Sequence, residues 1–84
     1  MRVEMWHVYI LRSKVNGRLY TGSAEDPEKR LRQHNSGKSK YTKSTKPFRL
    51  IYKETYNTRS EAVRRERFLK TGKGRELLKK KLGS

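Results

Sequence analysis

Apolar and polar positions along the chain change period several times, and each change marks an element. Trp6-His7-Val8-Tyr9-Ile10-Leu11 is rich in aromatic and β-branched residues and reads as a strand. Asn16-Gly17 follows, a dipeptide that suits a type I′ hairpin turn because both residues tolerate positive φ. Arg18 to Gly22 then returns as a second strand, antiparallel to the first. A third strand opens at Pro47 and runs from Phe48 to Tyr56. Strict alternation there would put Phe48, Leu50, Tyr52, Glu54 and Tyr56 on one face and Arg49, Ile51, Lys53 and Thr55 on the other.

Helical signals fill the remaining segments. Ser23 to Asp26 reads as a loop, Asp26 can cap a helix, and Pro27 suits its first position because proline lacks an N–H there. This helix spans 27–35 and ends at Asn35-Ser36-Gly37. Thr58-Arg59-Ser60-Glu61 has the form of a capping box for a second helix over 59–70, with Ala62, Val63, Glu66, Leu69 and Lys70 at helical spacing. Gly72 and Gly74 are expected to break the chain before a last basic helix, Arg75 to Leu82. Lys38 to Lys46 shows no apolar period and reads as a basic surface loop. The order ββαβαα predicts an α/β protein of the α+β kind, with a small three-stranded sheet, antiparallel or mixed, flanked by helices. One domain over 1–84 is expected, without repeats.

Composition narrows what such a fold does. The chain has 84 residues and only 31% hydrophobic positions, so its core is small. Lys and Arg number 23 against 8 acidic residues, a formal net charge of +15. So much positive charge repels itself unless a polyanion is the intended neighbour, which points to nucleic acid. An anionic membrane surface is a weaker fit, because the basic carboxy-terminal segment has no Trp- and Phe-rich apolar face. No apolar run approaches a membrane span and no signal-peptide pattern opens the chain, so a cytoplasmic protein is expected. Cysteine is absent, which excludes disulfides, a thiolate nucleophile and zinc-finger spacing. Charge alone leaves room for a basic ribosome-associated chain.

A few residues stand out as chemistry. Tyr9 and Tyr20 fall on paired strands and can be neighbours, although such pairs are more often cross-strand packing than catalysis. Arg30 and His34 are four apart and share one face of the first helix, which for an ordinary basic protein is a solvated face. Glu66 lies among Arg64, Arg65 and Arg67, where its simplest role is a helical salt bridge.

Val8-Tyr9-Ile10, followed by Tyr20-Thr21-Gly22 with the two tyrosines eleven residues apart, resembles the paired motif of the GIY-YIG nuclease superfamily. Arg30, His34, Asn35, Tyr41 and Glu66, with Leu69-Lys70 behind it, keep that family's order and approximate spacing. Essentially the whole chain is covered, and it looks most like the small stand-alone bacterial members. Three positions depart. His7 precedes Val8-Tyr9 where the motif has glycine, Thr21 replaces the middle isoleucine, and Ser23 stands where excision-repair members align a lysine.

The resemblance implies a metal-dependent endonuclease that hydrolyses DNA phosphodiesters at one Mg²⁺ or Mn²⁺ ion, in repair or processing, with no small-molecule cofactor. Glu66 would hold the ion on the leaving-group side, and Arg30 would clamp the scissile phosphate. Tyr9 is the candidate general base and Tyr20 the runner-up. His34 would accept the phenol proton, with the cationic surroundings favouring phenolate. Asn35 and Tyr41, with the loop lysines Lys38, Lys40, Lys43 and Lys46, are expected to contact substrate. Nothing is shaped to read bases, so phosphate contacts should dominate, and structure-specific cutting would call for an additional protein partner. The rival reading is a non-catalytic module that keeps the fold and binds DNA or RNA.

Overall fold

A computed structural model describes residues 5–37 and 46–83. Its elements are β1 (Trp6–Ser13), β2 (Leu19–Ala24), α1 (Pro27–Asn35), β3 (Phe48–Tyr56), α2 (Arg59–Leu69) and α3 (Gly72–Leu82). The three strands form one antiparallel sheet in the order β2-β1-β3. The most continuous apolar run, Val8 to Leu11, takes the centre, because only there are both faces of a strand covered. On one side Tyr9, Leu11, Ala24 and Phe48 pack with Leu31 of α1. On the other Val8 and Ile10 pack with Ala62 and Leu69 of α2 and Leu78 of α3. The result is the expected α+β fold in the order ββαβαα, with helices on both faces of the sheet. Among the described residues, no helix is long and apolar enough to cross a membrane.

Helix starts follow the caps. The Asp26 carboxylate accepts from the Lys29 amide at 3.1 Å ahead of Pro27. Thr58 accepts from the Glu61 amide at 3.2 Å, and its own hydroxyl donates to the Glu61 carboxylate at 3.0 Å. The third helix starts earlier than expected, because Thr71 caps it and both glycines lie in its first turn. At Gly74 a Cβ would fall on the backbone of Phe68 and Leu69, so this glycine permits close approach of α3 to the end of α2 rather than breaking a helix.

The hairpin and β3 also differ from the expectation. Of the described non-glycine residues none has positive φ, so Asn16 does not take the type I′ conformation; only Gly17 of the pair does, at φ 74°. The Ser13 hydroxyl accepts from the amides of Val15 at 3.1 Å and Asn16 at 3.3 Å, which stabilises a wider loop between Ser13 and Leu19. In β3 the register with β1 slips: Leu11 pairs with Leu50 but Ile10 pairs with Tyr52. That bulge sends Phe48 and Leu50 toward α1, and Tyr52, Glu54 and Tyr56 toward α2, instead of placing all five on one face.

The displaced Glu54 anchors the helix that carries Glu66. Its carboxylate accepts from Tyr52 at 2.5 Å, Tyr56 at 2.7 Å, and Arg65 Nε at 2.9 Å and Nη2 at 3.2 Å. Burial by itself would raise the Glu54 carboxyl; hydrogen bonds from Arg65 and the two phenols outweigh it and bring it down to about 2. Pinning Arg65 to β3 fixes the rotation of α2, and with it the direction of the next side chain, Glu66.

Candidate active site

The site is built across β2. Tyr9 pairs with Gly22 and Tyr20 with Leu11, so the two tyrosines are diagonal neighbours on the face under α1. A Cβ at position 22 would lie 2.5 Å from the Tyr9 hydroxyl oxygen and 2.6 Å from Cζ. Glycine there lets the Tyr9 ring lie across the β2 backbone. The rings of Tyr9 and Tyr20 are 6.5 Å apart, and the His34 imidazole sits 4.7 Å from Tyr20 and 6.2 Å from Phe48. One helical turn before His34, the Arg30 guanidinium donates to the Tyr9 hydroxyl, and its Nη1 donates to Gln33 Oε1 at 3.1 Å.

Glu66 joins from the other layer. Extended pairing carries β2 through Ala24, two residues past its expected end, and Ser23 therefore faces α2. Its hydroxyl donates to Glu66 Oε1 at 2.6 Å, while Lys70 Nζ pairs with Oε2 at 2.8 Å. Glu66 is close enough for its charge to act on Tyr9. The structure thus brings Tyr9, Tyr20, Arg30 and His34 into one contiguous cluster and sets Glu66 at its rim.

Burial pushes the Tyr9 phenol above its ordinary value; the Arg30 hydrogen bond works against this, and the Tyr20 and Glu66 charges add to it. Burial therefore overrides the cationic surroundings that were expected to favour phenolate. Burial, and then Arg30, lower His34, which keeps the imidazole neutral at pH 7. Its ring neighbour is Tyr20 rather than Tyr9, which corrects the direct Tyr9-to-His34 transfer. Arg30 is pushed up, first by its hydrogen bond to Tyr9, and stays a fixed cation.

Among the described residues no three His, Asp or Glu side chains gather as a ready-made metal cage. Glu66 offers one hard carboxylate, 19% exposed, beside an ion-pair partner that is 54% exposed and so has room to swing away. One such donor fits a divalent ion that keeps most of its water or takes phosphate oxygens, and it does not fit a metal held by protein alone.

The expected substrate contacts divide three ways. Lys46 is described and exposed. Lys38, Lys40, Tyr41 and Lys43 lie outside the described residues. Asn35 has a structural task instead of the substrate contact expected of it: its Nδ2 donates to the Phe48 carbonyl at 3.1 Å and its Oδ1 accepts from the Phe48 amide at 2.5 Å, tying the end of α1 to β3. Sequence reasoning missed Ser23 and Gln33 as partners of Glu66 and Arg30. Lys70 was legible as the i+4 neighbour of Glu66.

Comparison with known proteins agrees with this arrangement. Residues 5–81 match the family model described as the GIY-YIG catalytic domain. A UPF0213 protein of Staphylococcus saprophyticus is 46% identical over 78 residues, covering 92% of this chain and 94% of its own. One from Staphylococcus epidermidis is 48% identical over 73 residues, covering 86% and 88%. The solution NMR structure of a UPF0213 protein from Bacillus halodurans is similar at a TM-score of 0.53 and 38% identity, covering 88% of this chain and 81% of that one. The chain belongs to the GIY-YIG nuclease family.

Proposed function

We propose that this protein is a metal-dependent endonuclease that hydrolyses DNA phosphodiester bonds at the Tyr9–Tyr20–Arg30–His34–Glu66 cluster, in the cytoplasm and in DNA repair or processing. The observation that carries the reading is the Arg30 guanidinium held on the Tyr9 hydroxyl, which sets a phosphate-binding cation beside a proton acceptor.

Arg30 donates to the non-bridging oxygens of the scissile phosphate and matches the charge that builds there in the transition state. A water oxygen attacks phosphorus, its proton passes to the Tyr9 oxygen, and the bond to the 3′ oxygen breaks. Tyr9 acts in its deprotonated form, which at pH 7 lies at least three units, or roughly 4 kcal/mol, uphill. Tyr20 orients the water, its ring held by the neutral imidazole of His34. Glu66 holds one Mg²⁺ or Mn²⁺ ion, which supplies charge to stabilise the leaving oxyanion. Lys46 and the lysines of segment 38–45, with Lys73, Arg75, Lys79, Lys80 and Lys81 of α3, follow the sugar–phosphate backbone without reading bases. Such a small domain makes one cut at a time, so cutting both strands requires a second copy or a partner protein.

Labelled plasmid and oligonucleotides incubated with Mg²⁺, Mn²⁺ or chelator test the proposal. Metal-dependent products from the wild type, absent from Glu66→Ala, are expected. Equal salt-sensitive binding by both proteins without products would leave a nucleic-acid-binding module; retention on folded RNA over DNA, indifferent to metal, would favour a ribosome-associated role.

A further inference from the structure

Helix α1 carries a second cationic feature that the cluster does not use. Lys29, Arg32, Gln33 and Ser36, at the i, i+3, i+4 and i+7 positions of one helical face, line an open depression of about 360 Å³. The ion pairs among the described residues are Arg65 with Glu54 and Lys70 with Glu66, so Lys29 and Arg32 keep their charges for another partner. Ser36 spends its hydroxyl proton on the Gln33 carbonyl at 2.8 Å. Gln33 has the opposite disposition: its Oε1 is occupied by Arg30, which leaves its amide N–H groups as donors.

We infer that this depression is a subsite for a second phosphate of the same nucleic-acid strand, bound by Lys29, Arg32 and the Gln33 amide and coupled to the scissile-phosphate seat through the Gln33–Arg30 hydrogen bond. The inference rests on the proposed function, because it takes Arg30 as the scissile-phosphate ligand. The chemistry selects an anion: two cations and an amide donor surround the space, with no carboxylate among its lining residues. The spacing selects a polymer over a lone phosphate. Gln33 touches both places, and residues one helical turn apart stand about 5–6 Å from each other, a step suited to neighbouring phosphates of one strand. The subsite also orients the strand. With one phosphate at Arg30 and the next in the depression, the chain runs along α1, and Glu66 and Tyr9 meet the scissile group from the β2 side.

Fluorescence anisotropy with a 12-base-pair duplex, read in chelator over a range of salt, separates binding from cleavage. Lys29→Ala/Arg32→Ala is expected to weaken binding about tenfold and to lower the slope of log affinity against log salt by about 0.9 for each phosphate that is no longer neutralised. Both positions are exposed and alanine favours helix, so folding is retained. The control Arg49→Ala/Lys53→Ala removes the same charge from exposed positions on β3 and is expected to leave the slope unchanged. Equal falls in slope for the two pairs, or none for the α1 pair, in a wild type that binds and cuts DNA, would overturn the subsite alone. A wild type that fails to bind DNA would overturn the proposed function as well.

Discussion

Gly22→Ala tests the placement of Tyr9 with the smallest change available. Gly22 has no positive φ, so alanine can adopt its backbone and the whole effect comes from one methyl group. That methyl would stand 2.5 Å from the Tyr9 oxygen and 2.6 Å from Cζ, whereas ordinary contacts begin at 3.4 Å, so the ring must retreat by nearly 1 Å. Tyr9 is 1% exposed and packs with Leu11, Ala24 and Phe48, which leaves it little space to do so. Overpacking of this kind costs about 1–3 kcal/mol. For a domain of this size each kcal/mol lowers the melting temperature by roughly 4–8 °C, so a fall of roughly 5–20 °C is expected by circular dichroism. Retreat also draws the hydroxyl from Arg30, and a displacement near 1 Å at a reacting group costs about 10²-fold in single-turnover cleavage. Adding Tyr9→Phe removes the oxygen clash but leaves Cζ in place, so it recovers only part of the stability. A Gly22→Ala protein that melts within about 2 °C of wild type and cuts DNA at the same rate would refute this account of the site.

Other consequences are independent of that one. The Glu54 carboxyl lies at about 2 in the folded protein, against 4.5 unperturbed; the shift corresponds to about 3 kcal/mol, or about 2 once the 27% exposure of Arg65 is allowed for. Because the folded value is the lower, this stability is present above pH 4.5 and is lost as pH falls toward 2. Glu54→Gln should therefore melt roughly 8–16 °C below wild type at pH 7, with the gap closing in acid; a constant gap in a pH series of melts would count against the ion pair. Arg30→Ala and Tyr9→Phe should each slow cleavage by about 10² or more while changing DNA affinity less than tenfold, since their contacts strengthen in the transition state. Parallel losses of binding would assign both residues to docking. With the Tyr9 phenol above its usual value, cleavage should rise about tenfold per pH unit from 7 to 9, and Tyr9→Phe should abolish the rise. A plateau below pH 8 in the wild type would name a different base.

Much of this architecture was legible because local signals and burial agree. The α1 and β3 boundaries follow directly from Asp26-Pro27, the Asn35-Ser36-Gly37 stop and the run from Phe48 to Tyr56. Alternation brings Tyr9 and Tyr20 to one face, and the i, i+4 spacing brings Arg30 and His34 to one helix side. What could not be read depended on tertiary contact. The bulge at Ile51 is set by the fit of β3 to β1, and it alone sends Glu54 to Arg65. Gly74 looked like a stop because nothing local reveals that the end of α2 lies against it. Asn35 looked like a substrate contact because the Phe48 backbone that uses its amide is 13 residues away. The direction of the Tyr9 shift depends on burial under α1, which opposes the positive net charge of the chain.

The central claim is that one cation and one phosphate meet where Glu66, Tyr9 and Arg30 converge. Paramagnetic broadening by Mn²⁺ in a ¹⁵N-labelled protein bound to an uncleavable phosphorothioate duplex reports that place directly. Broadening is expected first at the amides of Gly22, Ser23, Glu66 and Lys70, and it should vanish in Glu66→Ala. Broadening centred on Glu28, Glu61 or Glu76, or unchanged by removing the Glu66 carboxylate, would contradict the claim.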